Sequence, residues 1–327
     1  MRTFRSLLLA LSLLVLAACS ATADQPATDT ASGASTEWSY TNSYGHTVTL
    51  PEAPKVIVVD SYSAASLWPY GIRPAGIFGH GLAKDAPPGA LGDADLSTMK
   101  VVGTGNELDI EALAALQPDL VIGFGNTEAT NDGWTWWDEE VTEKATAIAP
   151  FVGIKFPDQP VVDVITEYET LAKALGADLT SDAVVTARTD FETAQQSVRA
   201  TMAAKPELTA IGLNGTTAIV WTGGPKLAPI ALLNELGLKT VGPDDEDSAW
   251  WGEISWEKVP DYPADVILAY AASTQAFAEA PVYAKLPAVK AGQVVGWDDK
   301  MPFTYAQYAT WLNEVNTTLA SAKKVTD

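Results

Sequence analysis

The stretch from Thr180 to Lys205 places Val184, Ala187, Phe191, Ala194, Val198 and Met202 at helical spacing, with no strand-like run inside it. Thr180 or Ser181 suits the N-cap, Asp182 suits the first turn, and Lys205-Pro206 closes the segment. On both sides the pattern changes: short β-branched runs alternate with helical segments. One long helix flanked by two alternating regions predicts an α/β protein of two lobes, with the helix over 180–205 placed to join a lobe at 38–179 to one at 206–327.

In the first region, Lys55–Asp60, Pro74–Phe78, Lys100–Gly103 and Pro118–Gly123 read as strands, with a further strand expected over Thr146–Val152. Asp109 is placed to cap the helix over Ile110–Leu116. In the second region Thr209–Leu213, Ala218–Trp221, Val266–Ala269 and Val294–Gly296 are strand-like, with a helix over Leu227–Leu236. The halves echo each other: Glu111 stands eight residues before Asp119-Leu120-Val121-Ile122, and Glu257 eight before Asp265-Val266-Ile267-Leu268.

The first 18 residues combine Arg2 and Arg5 with an apolar run over Leu7–Leu16, too short to span a bilayer. This reads as an export signal. It ends Leu16-Ala17-Ala18-Cys19, which resembles the lipobox of bacterial lipoproteins, so Cys19 is expected to carry lipid. Cys19 is the one cysteine of the chain, so no internal disulfide can form. Residues 19–37 are small and polar without apolar period, which predicts a flexible tether. The expected location is therefore outside the cell, lipid-anchored to the outer face of the cell membrane. A formal charge of −21, more negative still once Arg2 and Arg5 leave with the signal, opposes binding to nucleic acid.

Val102-Gly103-Thr104-Gly105-Asn106-Glu107-Leu108-Asp109-Ile110-Glu111-Ala112-Leu113 followed by Pro118-Asp119-Leu120-Val121-Ile122 resembles the N-lobe hallmark of siderophore-type binding proteins of ABC importers. Gly223-Gly224-Pro225, Leu236-Gly237-Leu238, Trp251–Glu257, Ala264–Ile267 and Leu286–Val294 are similar to that family's C-lobe pattern. The resemblance runs from about Trp38 to the C-terminal helix. It implies two Rossmann-like α/β lobes joined by one long connecting helix, with the ligand held in a cleft between the lobes, modest closure on binding, and an ABC permease as partner; the protein is expected to be a monomer. It also implies that Glu111 and Glu257 dock with permease arginines, although an acidic residue at a helix start also stabilises the helix dipole.

In open α/β lobes ligands meet the loops at the carboxyl ends of the strands. That rule selects Ser61, Tyr62, His80, Asn126, Trp221, Tyr270 and Trp297 as ligand-binding residues. The chain has 11 tryptophans, with dense groups at Trp134, Trp136 and Trp137 and at Trp250 and Trp251; amphipathic indoles in loops suit a large ligand with polar and apolar faces. Trp38, Trp256 and Trp311 fall within apolar or helical patterns and read as core. Cations that could meet siderophore oxygens are few: Arg73, Lys84, Lys155, Lys226 and Lys300. A strongly anionic catecholate or citrate complex would need several such groups. A ferric hydroxamate siderophore, neutral or cationic, fits better, with no resident cofactor because the iron arrives with the ligand.

A free-metal site would need three or four ligands, and the chain has two histidines, of which His46 lies in an expected N-terminal hairpin. Haem or cobalamin are the nearest rival ligands, with His80, Tyr62 or Tyr270 available to haem iron. An α/β enzyme lacks a nucleophile–base set: there is no Gly-x-Ser-x-Gly, and Gly103-x-Gly105 lacks the third glycine of a dinucleotide loop. A purely structural surface lipoprotein would have no use for two lobes around a tryptophan-rich crevice.

Overall fold

The computed structural model describes residues 37–84, 86, 89–125, 133–156 and 158–326. The export signal, Cys19 and the tether lie outside the described residues but for Glu37, as does Asn126.

A hairpin of β1 (Trp38–Thr41) and β2 (Thr47–Leu50) opens the chain, and His46 sits in its turn, its amide donating to Asn42 Oδ1. The first lobe holds β3 (Ile57–Asp60), β4 (Gly76–Phe78), β5 (Lys100–Val101), the small antiparallel pair β6 (Gly103–Thr104) and β7 (Glu107–Leu108), β8 (Leu120–Phe124) and β9 (Phe151–Ile154). Its main sheet is wholly parallel in the order β5-β4-β3-β8-β9. Strands β3 and β8 are buried along their whole length, as expected of central parallel strands covered on both faces. Because the chain winds outward from β3 in one direction and then in the other, the topological switch point lies between β3 and β8.

The second lobe holds β10 (Thr209–Gly215), β11 (Val220–Gly223), β12 (Lys239–Thr240), β13 (Trp251–Ile254), β14 (Val266–Tyr270) and β15 (Val294–Trp297). They are ordered β13-β11-β10-β14-β15, with β12 on the first residues of β10 and β11 antiparallel to both its neighbours.

The helices are α1 (Ser61–Leu67), α2 (Ile110–Leu116), α3 (Glu139–Thr146), α4 (Val161–Ala174), α5 (Asp182–Ala204), α6 (Ala228–Glu235), α7 (Thr274–Glu279), α8 (Pro287–Lys290) and α9 (Tyr305–Ser321). Helix α5 is the connector foreseen from periodicity, about 34 Å long at 1.5 Å per residue. Its N-terminal cap departs from expectation only in part: Ser181, one of the two candidates, holds the cap position but without a side-chain bond, while Thr180 spends its amide and hydroxyl on Asp178. Helix α9 runs parallel beside it. Phe191 meets Tyr305, Thr201 bonds Asn316, and the Lys205 ammonium donates to the carbonyls of Leu319, Ala320 and Ala322, where a cation suits the helix end. The lobes are thus joined by two helices.

A second departure concerns Thr146–Val152. Asp138 accepts from the amide of Val141, and with Glu139 and Glu140 in the first turn it starts α3 there; the strand begins only at Phe151.

The internal echo has a structural cause. Asp119 accepts from the amides of Lys55 and Val56, at 2.8 Å each, just before β3. Asp265 does the same to Thr209 at the start of β10, and also holds Val325 and Thr326. In each lobe an aspartate therefore fastens the start of the neighbouring parallel strand. Asp109 caps α2 through the Ala112 amide as foreseen.

Candidate inter-lobe binding face

The site grows from Asp60, the last residue of β3, fully buried at the switch point. Its carboxylate accepts from the amides of Ser63 (2.6 Å) and Phe124 (2.9 Å) and from the indole of Trp134 (2.7 Å). It caps α1, joins β3 to β8 and pins the tryptophan loop at once. Burial pushes its carboxyl up, against the pull of these donors. Gly123 on β8 leaves the space that Trp134 occupies: an added Cβ would come within 2.8 Å of the indole.

Over this base lies an aromatic face. Tyr62 stacks on Phe124 (5.2 Å) and meets Trp136 (6.0 Å); Trp136 meets the His80 ring (4.7 Å); Phe156 stacks on Phe124 (4.4 Å). Trp136, His80 and Phe156 are half-buried, so their outer faces remain accessible. The His80 Nε2 is bonded to the Asn106 side chain. Phe303, from the segment between β15 and α9, reaches into the same group, meeting Phe156 (5.8 Å) and Phe124 (6.1 Å), while its amide donates to Ser66 Oγ. The C-terminal part of the chain thus returns to plug the first lobe.

The second lobe answers with Trp251, Tyr270 and Trp297, packed edge-to-face or tilted at 5.5–5.8 Å. Trp297 lies over Gly212 and Gly223, where added Cβ atoms would approach its ring to 3.1 and 2.7 Å. Beside it the Tyr270 hydroxyl donates to Asp298 (3.2 Å) and Asp299 (2.9 Å), and Lys300 grips both Asp299 oxygens at 2.9 and 2.7 Å. Burial and the adjacent Asp299 push the Asp298 carboxyl up to about 6.

The two groups lie within electrostatic reach of each other. Burial, then the charges of Asp298, Asp60 and Asp299, hold the Tyr62 hydroxyl well above its usual range, so residues of both lobes act on it. Tyr270 is raised likewise by burial, Asp299 and Asp298, and also feels Tyr62. At another point Lys226 of the second lobe stands 3.9 Å from Asp158 of the first.

The structure sorts the residues anticipated from sequence. Tyr62, His80, Trp136, Trp251 and Tyr270 fall on this face. Ser61, Trp134 and Trp297 do not line it: at most 2 % exposed, they support it from beneath, Ser61 by accepting from the Gly81 amide. Trp137 packs inward on Phe78 and Phe151. Trp221 stands apart, its indole donating to Glu253, and the carbonyl of Trp250 holds the Gly224 amide. Asp60, Phe156, Phe303, Asp298 and Asp299 were not anticipated. The candidate cations are mostly committed: Arg73 over Trp68, Lys155 over Tyr44, Lys226 near Asp158, Lys300 on Asp299.

A concavity of about 1050 Å³ lies elsewhere, in the second lobe around Gly224, Asn234, Lys239 and Asp245. Tyr262 is its one aromatic residue. Aromatic lining and convergence of both lobes favour the inter-lobe face as the binding site. Glu111 and Glu257 are exposed, Glu111 in the first turn of α2 and Glu257 in the helical turn that follows β13. Among the described residues no helix is long and apolar enough to cross a membrane, and no group of three or more His, Cys, Asp or Glu could hold a metal ion.

Comparison with known proteins adds to this geometry. The fold matches DesE, a ferric-siderophore receptor protein from Streptomyces coelicolor, at TM-score 0.82 and 29% identity, covering 88% of this chain and 100% of that one. The siderophore periplasmic binding protein from the fuscachelin gene cluster of Thermobifida fusca matches at TM-score 0.61 and 24% identity over 81% of this chain and 96% of its own. FhuD of Vibrio cholerae, a siderophore binding protein with Fe3+-Desferal bound, matches at TM-score 0.61 and 16% identity over 83% and 99%. No curated protein matches in sequence. The periplasmic binding protein family model matches residues 57–301, three-quarters of the chain, and on this basis the chain belongs to the periplasmic binding proteins, a family that binds substrates and does not transform them.

Proposed function

We propose that this protein binds a ferric siderophore of the hydroxamate type between its lobes and delivers it to the permease of an ABC importer. The observation that carries the reading is the inter-lobe face itself: aromatic rings from both lobes around carboxylates, with Lys300 and Lys226 already engaged by Asp299 and Asp158. Such a face suits a bulky, largely apolar complex without excess negative charge, and would repel a trianionic catecholate. The likeness to DesE supports a siderophore as the ligand. Haem is less well served. Of its candidate axial ligands, His80 is tied to Asn106 and Tyr270 to two carboxylates.

Titration of ferrioxamine, ferrichrome, ferric enterobactin, haem and cobalamin, followed by tryptophan fluorescence, tests this. Saturable quenching by a ferric hydroxamate, absent with its iron-free form, is expected. Response to ferric enterobactin alone, or to haem or cobalamin alone, would replace the ligand class.

Delivery rests on Glu111 and Glu257. Charge reversal of both should lower siderophore uptake by cells while leaving affinity for the ligand intact; unchanged uptake would refute the docking role. Anchoring through Cys19 predicts that Cys19→Ser releases the protein from the membrane fraction and abolishes incorporation of labelled fatty acid.

A further inference from the structure

We infer that Asp298, which receives the Tyr270 hydroxyl, forms a subsite for a cationic arm of the ligand, a primary alkylammonium; this rests on the siderophore reading above. Two carboxylates and one ammonium stand together, and Lys300 places both of its short contacts on Asp299. Asp298 receives the Tyr270 hydroxyl and the Lys300 backbone amide, both neutral donors. Asp298 is therefore left without an ion pair of its own, feeling Lys300 only at a distance, and a poorly solvated carboxylate calls for one.

Three further observations point to a ligand as its source. Asp298 also lines a cavity of about 400 Å³ where the 89–93 loop meets the end of β15. That cavity carries Asp93 and Glu314 and no lysine, arginine or histidine. The hydroxyl of Tyr308, on α9, is fully buried, has no hydrogen-bond partner, and feels both Asp298 and Asp299. Finally, Trp251 and Tyr270 are half-exposed and set edge-to-face at 5.8 Å, a corner whose ring faces attract an ammonium.

The test compares a ferric trihydroxamate bearing a terminal primary amine with the same compound N-acetylated, which keeps the iron centre and loses the charge. The amine form should bind at least about tenfold more tightly, equivalent to about 1.4 kcal/mol. Asp298→Asn should shrink that ratio to within about twofold, Asp298→Glu should retain part of it, and circular dichroism checks that both variants are folded. Equal, tight binding of the two compounds by the wild type would overturn the subsite and leave the siderophore reading standing. A preference that survives in Asp298→Asn would also overturn it. Binding of neither compound would remove both the reading and the subsite.

Discussion

Replacing Asp265 by alanine should cost far more stability than replacing Asp119, although both occupy the same place in the two lobes. Asp265 is fully buried and accepts from the amides of Thr209 (3.1 Å), Val325 (2.8 Å) and Thr326 (3.1 Å) and from the hydroxyls of Thr209 and Thr326. Hydrogen bonds to a charged group contribute about 1.5–3 kcal/mol each, but they are not additive. Part of the tail would stay in place, because Gln293 holds Lys323 through both its amide atoms, and released tail amides can turn to water. A net loss of about 2–4 kcal/mol follows for Asp265→Ala. Asp119 is exposed and its two amide partners can be rehydrated, so Asp119→Ala should cost under about 1 kcal/mol. Urea unfolding followed by fluorescence and circular dichroism measures both. The pH dependence adds a sign: hydrogen bonds hold the Asp265 carboxyl below its usual range despite burial, so its contribution is complete above about pH 4, the unfolded value, and fades as pH falls through the depressed one. The gap between wild type and Asp265→Ala should be flat from neutrality to mild acid and narrow below that. Equal costs for the two variants, or a gap that persists unchanged in strong acid, would refute the argument.

Phe303→Ala removes a fully buried ring from between Phe124, Phe156 and Tyr308 and should cost about 3–5 kcal/mol, with Phe303→Leu much milder, in the same unfolding assay. Lys226→Ala should change stability by less than about 1 kcal/mol, since the 3.9 Å pair with Asp158 is solvent-exposed, and added salt should abolish even that difference. Affinity for a cationic ligand should fall as pH drops through about 6, because Asp298 then gains a proton. The groups facing Asp298 are Asp299 and Lys300 of its own loop, Tyr270, Tyr62 and Tyr308, with Asp93 and Glu314 lining the same cavity; the tyrosines do not titrate in this range, and the N-acetylated ligand should show no such step.

Much of the architecture was legible because it depends on short-range pattern. The period of Val184, Phe191, Val198 and Met202 marked α5, and the spacing of Glu111 to Asp119 and of Glu257 to Asp265 marked the related halves. The aromatic content of the site was also visible, but not which rings are accessible. Trp134 and Trp297 read like their neighbours, yet each lies on a glycine seat, Gly123 or Gly212 with Gly223, that only the sheet register reveals. Asp298 and Phe303 escaped notice because their partners, Tyr62 on one hand and Phe124 with Ser66 on the other, lie some 180 to 240 positions away. Thr146–Val152 misled because its β-branched ends outweighed the Asp138 cap, which converts the preceding turn into helix.

The Phe303 plug also orders the protein's assembly in time. The aromatic core of the first lobe is closed by a residue that follows β15, the last strand described in the second lobe, with the Ser66–Phe303 hydrogen bond spanning 237 positions. A chain emerging from its N-terminus can build β3 and β8 early, but it cannot finish packing that lobe until nearly all of the second has been made. Such long-range closure slows folding. For a polypeptide that must be threaded across a membrane before it folds, that delay would be an advantage, because it postpones native packing until both lobes have arrived on the far side.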